Sequence, residues 1–108
     1  MDEIILIQLR GDGRDFWVND REIRLSKQEA KLLGYLMKNA CRVCSISEIA
    51  KNVMGYAEYN RYTASMVRAA VVRLRKRIEP SSYCYIHNTH GHGYYLRANR
   101  VSYSGWIK

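Results

Sequence analysis

The apolar positions of this chain change period along its length. Ile4 to Leu9 reads IILIQL, a short apolar block of the kind that forms a strand. Arg10 to Asp15, RGDGRD, has the composition of a turn. Phe16–Val18 follows as a second short strand, NDR turns the chain back, and Glu22–Leu25 alternates polar and apolar as a third strand does. From Ser26 the spacing becomes helical. SKQE is a capping-box pattern, in which Ser26 accepts from a backbone N–H three residues on and Glu29 reaches back. Leu32, Leu33, Leu36 and Met37 then mark one face, which predicts a helix from about Lys27 to Asn39.

A second capping box, SISE at Ser45–Glu48, opens a short helix with Ile49 and Val53 inward and Gly55 at its end. Tyr56–Tyr62, YAEYNRY, reads as a loop. The third helix is expected over Ala64–Glu79 with Thr63 as N-cap, and Pro80 disfavours helical geometry at Glu79. SYCYI and YYL are rich in strand formers and are joined by HNTHGHG, which predicts a hairpin. The tail carries no decisive pattern beyond Trp106, an aromatic available to pack on the body. One domain results. It has N-terminal strands in 1–25, a three-helix core in 26–79, a hairpin in 83–96 and a tail in 97–108.

Composition narrows the class. Hydrophobic residues are 47% and charged residues 26%, as in a soluble globule and unlike a disordered chain. The formal net charge of +8 and pI near 9.6 point to a polyanion, nucleic acid before an anionic membrane surface. The N-terminus opens acidic, and its apolar run is too short for a signal peptide or a membrane span. Three cysteines are an odd number, which argues against a disulfide framework and for a reducing interior, so the chain is expected to be cytoplasmic.

The third helix concentrates the charge. At 100° per residue, Val67, Val71, Leu74 and Ile78 share one stripe, the core face. Ser65, Ala69, Val72, Arg73 and Lys76 lie opposite, flanked by Arg68 and Arg75. No acidic residue falls between Arg61 and Arg77. A solvated helix ordinarily mixes Glu with Lys in i,i+4 pairs. This one does not, and Ala69 and Val72 interrupt its cationic face with small apolar groups. Such a face suits a major groove: small groups meet thymine methyls, and Arg73 reads guanine O6 and N7. In the alternative, Val72 is a scattered surface apolar residue and the face is merely solvated.

Short N-terminal strands, three helices with the third one basic, and a C-terminal hairpin make an α+β winged helix-turn-helix. The chain resembles the OmpR/PhoB-type winged helix family, the DNA-binding output domain of many bacterial response regulators. The resemblance covers roughly 19–96. LSKQEAKLLGYLMKN is similar to that family's LTPKEFxLLxxLxxN, and RVCSISEIAKNVMG to its RVVSREELxxxVWG. VRAAVVRLRKRIE is similar to its VDVHISRLRKKLE, and HGHGYYL to its RGVGYRL. Four matches in order at the right spacing are specific where one alone would be weak.

The resemblance implies sequence-specific binding of double-stranded DNA by a transcriptional regulator. The third helix (64–79) would lie in the major groove and the wing (87–93) at the minor groove or backbone. Arg73 and Arg75 match the family's DNA-facing arginines; Arg73 is assigned to bases, and Arg68, Arg75 and Lys76 to phosphates or groove walls. With Arg61, Ser65, Ala69, Val72 and His90 these complete the expected interface. The chain departs from the family at Ser65, where an arginine is frequent, at Ala70, where a phosphate-contacting histidine is frequent, and at His90, where several members carry an arginine. With an ordinary pKa of about 6.5, His90 would be a mostly neutral hydrogen-bonding group at pH 7. The reading of His90 and His92 as ordinary loop residues stands beside this one.

The resemblance also implies contact with RNA polymerase through loop 56–62 and dimeric or tandem binding on DNA. A receiver domain does not fit in 108 residues, which leaves a stand-alone regulator or the DNA-binding piece of a longer one. ToxR/CadC-like membrane-anchored regulators carry such a domain, so a membrane enters only through a longer anchored chain.

Cys41 and Cys44 with Cys84 and His87 give C-x2-C and C-x2-H, a zinc-ribbon spacing. Zinc needs four ligands converging at about 2.0–2.3 Å. The winged-helix order disperses them: Cys44 is expected in the core, Cys41 in the turn between the first two helices, Cys84 on a strand. No metal, cofactor or small-molecule substrate is therefore expected. Catalysis is not expected either, since no nucleophile motif or G-x-x-x-x-G-K phosphate loop occurs. The serious competitor is a winged helix used for protein contact, with RNA polymerase or another regulator as partner.

Overall fold

The computed structural model describes residues 6–10, 15–18, 21–79, 85–89, 91–97 and 100–103. Three strands come first: β1 (Leu6–Arg10), β2 (Asp15–Val18) and β3 (Arg21–Arg24). They pair antiparallel in sequence, with Phe16 opposite Ile23 and Leu9 opposite Phe16. The helices are α1 (Lys27–Lys38), α2 (Ile46–Asn52) and α3 (Arg61–Ile78), and the wing strands are β5 (Ile86–Thr89) and β6 (Gly93–Leu96). Two further strands had no clear signal in the sequence. β4 is the two residues Cys44–Ser45, paired with β6. β7 (Arg100–Tyr103) lies parallel to β1, so the tail adds a fourth strand to the N-terminal sheet, in the order β3-β2-β1-β7. Trp106 lies outside the described residues.

Both expected capping boxes form. Ser26 and Glu29 exchange their bonds at 3.2 and 2.9 Å, Ser45 and Glu48 at 3.0 and 2.7 Å. The start of α3 differs from expectation. Asn60, not Thr63, is the N-cap: its Oδ1 accepts from the Thr63 N–H at 2.9 Å, and Thr63 Oγ1 accepts from the Asn60 N–H at 2.8 Å. Thr63 therefore fills the third position of a capping box, where Glu or Gln is usual. Arg61 and Tyr62 belong to the first helical turn, and since α2 already ends at Asn52, before the expected Gly55, the connection spans 53–60 and not 56–62. At the other end Glu79 is the C-cap, its backbone extended ahead of Pro80.

The core gathers one face of each helix: Leu32, Leu33, Leu36 and Met37 from α1, Ile49 from α2, and Val67, Val71, Leu74 and Ile78 from α3. Phe16 and Leu25 close it from the N-terminal side, and Ile86 and Leu96 from the wing. The N-terminal sheet is also tied to the last turn of α3 by polar contacts. Arg21 donates to the Ile78 carbonyl, and Arg77 Nη2 donates to the Arg24 carbonyl at 2.9 Å. Lone helix-terminal carbonyls need such donors.

A tight joint seats the wing on the core. Gly93 pairs with Ser45, and a Cβ built on it would stand 2.0 Å from the Cys44 carbonyl oxygen. Only glycine permits that approach. Cys41, in the turn after α1, has φ +68, a backbone angle uncommon for a residue other than glycine. Its N–H donates to the Leu96 carbonyl at 2.9 Å, a second seam between turn and wing.

Candidate nucleic-acid interface

The two faces of α3 are chemically separate. Val67, Val71, Leu74 and Ile78 are buried, as are Thr63, Ala64 and Ala70. Arg61, Ser65, Arg68, Val72, Arg73 and Lys76 are exposed, and Ala69 is half-buried among them. These positions recur at three and four residues and form one stripe along a helix about 27 Å long. Val72 is half exposed, at 50%. An exposed apolar group in a cationic stripe is of a kind that can meet a thymine methyl in a major groove.

The basic side chains fall into two groups. Among the described residues, Arg61, Arg68, Arg73 and Lys76 form no ion pair. Arg73 donates to Gln28 of α1, Nη2 to Oε1 at 3.5 Å. Arg75 is different: it is half-buried, and its Nε donates to Glu79 Oε1 at 3.2 Å. Arg77 points to the N-terminal side, where its Nε stands 3.6 Å from Glu29. Five of the expected contacts (Arg61, Ser65, Arg68, Arg73, Lys76) are thus brought together on one open surface. Arg75 lies at its edge, held from behind.

The wing hairpin pairs β5 with β6. Its turn is closed by the His92 N–H, which donates to the Thr89 carbonyl at 2.9 Å, with Gly91 at φ +71. His92 is exposed. His90 and Cys84 lie outside the described residues. His87 stacks on Tyr95 across the hairpin, ring centres 5.1 Å apart, and its buried Nε2 has no hydrogen-bond partner among the described residues. That places His87 in the body of the wing and not at its tip. Cys44 is fully buried, and burial pushes its thiol up; Cys41 is exposed. Among the described residues no group of three His, Cys, Asp or Glu side chains converges as metal ligands would.

Two polar assemblies were not foreseen from sequence. Glu48 accepts from Arg42 Nη1 and Nη2 at 3.2 and 3.1 Å, from the Tyr35 hydroxyl at 2.8 Å and from the Ser45 N–H at 2.7 Å. Burial raises the Glu48 carboxyl, but the Arg42, Tyr35 and Ser45 donors together outweigh it and leave the pKa below the ordinary value. Asn52 donates to the Tyr35 oxygen at 3.2 Å, so this cluster locks α1, α2 and the turn between them. Glu79 is the second centre. Besides Arg75, its Oε2 accepts from the backbone N–H groups of Tyr85 and Ile86, both at 2.8 Å. The signal was available: Glu79 is the first acidic residue after an acid-free helix, but as a terminal residue it read only as a stop.

Beside α2 an open groove of about 370 Å³ is lined by Ser47, Lys51, Tyr56, Glu58 and Tyr59. Tyr59 and Tyr62 are 54% and 66% exposed. Among the described residues no helix is long and apolar enough to cross a membrane.

Comparison with known proteins agrees with this geometry. Residues 20–96 match the family described as "Transcriptional regulatory protein, C terminal". The chain is 35% identical over 91 residues to the transcriptional regulatory protein TrcR of Mycobacterium tuberculosis; this covers 84% of the chain and 35% of that regulator, so the chain spans about a third of its relative's length. Among solved structures, the C-terminal domain of the nisin resistance regulator NsrR is 26% identical with a TM-score of 0.65, covering 81% of this chain and 87% of that one. The DNA-binding domain of the response regulator AdeR, solved in complex with an intercistronic region, is 20% identical with a TM-score of 0.70, covering 85% and 94%. That of CadC from E. coli is 19% identical with a TM-score of 0.67, covering 91% and 95%.

Proposed function

We propose a mode of DNA engagement from one premise: the chain belongs to the transcriptional regulatory protein C-terminal family, OmpR/PhoB-type winged helix domains that bind DNA sequence-specifically. In this mode α3 enters the major groove with its acid-free stripe. Arg73 reads bases, with Ala69 and Val72 against thymine methyls. Arg61, Ser65, Arg68 and Lys76 contact phosphates or groove walls, joined by Arg75 at the edge. The wing meets the neighbouring minor groove or backbone around His90. The observation that carries this reading is the group of four cations on α3 that form no ion pair among the described residues. In a soluble domain, such charges next to exposed Val72 are supported best by a polyanionic partner.

The test is binding of the purified domain to random-sequence duplex DNA between about 50 and 200 mM salt, where release of several counterions lowers affinity by about tenfold or more. Affinity that stays flat would remove the DNA reading. In that case the protein-contact alternative stands.

A contact with RNA polymerase belongs to the same proposal and does not compete with it. The exposed Tyr59 and the groove beside α2 favour it, because aromatic side chains next to a polar rim are what protein interfaces select. Tyr62, in the first turn of α3, is exposed as well. Action in the cytoplasm, where double-stranded DNA is found in bacteria, and dimeric or tandem binding on repeated half-sites complete the proposal.

A further inference from the structure

We propose that Glu79 is a positioning residue for DNA binding, one carboxylate that sets the recognition helix and the wing relative to each other. This inference rests on the DNA reading given above and deepens it. Three contacts carry it. Oε1 accepts from Arg75 Nε at 3.2 Å, on the edge of the α3 stripe. Oε2 accepts from the N–H groups of Tyr85 and Ile86, each at 2.8 Å, at the entry to the first wing strand. The Glu79 side chain is only 10% exposed, so these bonds are made away from bulk water. Charge-assisted bonds in such a place are short and strong.

The surrounding backbone shows why a carboxylate is needed. The Tyr85 carbonyl is used by the Arg97 N–H at 2.8 Å, which continues the hairpin ladder past its last regular pair. Tyr85 and Ile86 turn their N–H groups the other way, toward the end of α3. Glu79 is the C-cap there, and its own N–H donates to the Arg75 carbonyl at 2.9 Å. Arg75 and Glu79 are thus joined twice, by backbone and by side chain. A displacement of the wing strand pulls on the carboxylate, and through it on the guanidinium at the DNA-facing edge. The helix and wing then present their contacts to one DNA surface as a unit.

The sign of the effect separates positioning from plain electrostatics. Glu79→Gln removes a negative charge next to the proposed DNA surface, and charge alone would tighten binding to a polyanion. As a positioning residue Glu79 does the opposite: its loss removes the carboxylate bonds to Arg75 and to the wing strand, and binding weakens. Random-sequence duplex DNA is the probe, since phosphate contacts suffice. Glu79→Gln is expected to melt within a few degrees of wild type and to bind about fivefold more weakly, with a much smaller loss in an Arg75→Ala background, because residues acting through one network are not additive. Binding by Glu79→Gln as tight as wild type, or a loss fully additive with Arg75→Ala, overturns the inference.

A second measurement does not depend on how Glu79→Gln folds. Arg75→Ala leaves the Glu79 carboxylate in place and is expected to shift the Tyr85 and Ile86 backbone amide resonances, whose N–H groups donate to that carboxylate. Unmoved resonances overturn the coupling. If wild type itself fails to bind duplex DNA with a steep salt dependence, it is the DNA reading that falls; wild-type binding with an unaffected Glu79→Gln overturns only the role of Glu79.

Discussion

Arginines serve two ends in this domain. Arg24, Arg42, Arg75 and Arg77 sit where elements meet, each within 4 Å of a carboxylate: Asp15, Glu48, Glu79 and Glu29 respectively. Arg61, Arg68 and Arg73 line the outer face of α3 with Lys76 and form no ion pair among the described residues. Among the described residues, Asp15, Glu29, Glu48 and Glu79 are engaged at caps and joints and not on the outer face. Glu29 and Glu48 each close a capping box and also hold an arginine from another element. The domain keeps its attraction for a polyanion by placing negative charge at its seams, where its work is structural, and keeping it off the helix that faces outward. Changes at the seams should therefore appear in stability, save at the Arg75–Glu79 pair, which borders the outer face and should appear in binding, as should changes on that face itself.

The largest effect is expected at the backbone joint of the wing. Gly93→Ala places a Cβ against the Cys44 carbonyl at a separation no real contact shows. Overpacking plus the strained backbone should cost about 3 kcal/mol or more, read as a lowered denaturation midpoint with DNA binding lost in proportion to the unfolded fraction. Arg73→Ala comes next and should act on binding alone. Discrimination between a bound site and random duplex is expected to fall by about 1–3 kcal/mol, with the melting temperature unchanged. An Arg73→Ala protein that unfolds more readily would move Arg73 into the structural group and blur the division.

Glu48→Gln tests a seam. The folded Glu48 pKa is lowered, so its contribution is fully present above its unfolded value, near 4.5, and is lost as pH falls through the folded value. Wild type should therefore lose stability as pH falls below about 4.5 more steeply than Glu48→Gln. At neutral pH the variant should be less stable by about 1–2 kcal/mol, as for other partly buried charge-assisted bonds. Its salt dependence of DNA binding should match wild type. The smallest effect belongs to Lys76→Ala, which should weaken all duplex sequences alike and flatten the slope of log affinity against log salt by about 0.9.

Much of this division could be read from sequence because it rests on local rules. The acid-free run from Arg61 to Arg77 and the stripe Val67, Val71, Leu74, Ile78 needed only helical spacing, and SKQE and SISE announced their helices. What escaped depends on partners far away in the chain. Thr63 looked like a cap because it precedes an obviously helical segment, whereas Asn60 caps the helix by a reciprocal bond with it. Cys44–Ser45 is too short to show alternation and is a strand only because β6 lies beside it. Arg100–Tyr103 pairs with the first strand of the domain, a contact without local signal. Arg75 and Arg73 stand two residues apart in one motif, and nothing local says that one is tied to Glu79 and the other is not. His90, expected at the wing tip, lies outside the described residues.

The most direct test of the division is to follow the arginine side-chain Nε–H resonances by NMR while duplex DNA is added to the wild-type domain. The signals of Arg61, Arg68 and Arg73 are expected to shift, while those of Arg24, Arg42 and Arg77 stay in place. Shifts confined to the seam arginines, with Arg68 and Arg73 unmoved, would contradict the assignment of α3 as the DNA-reading surface.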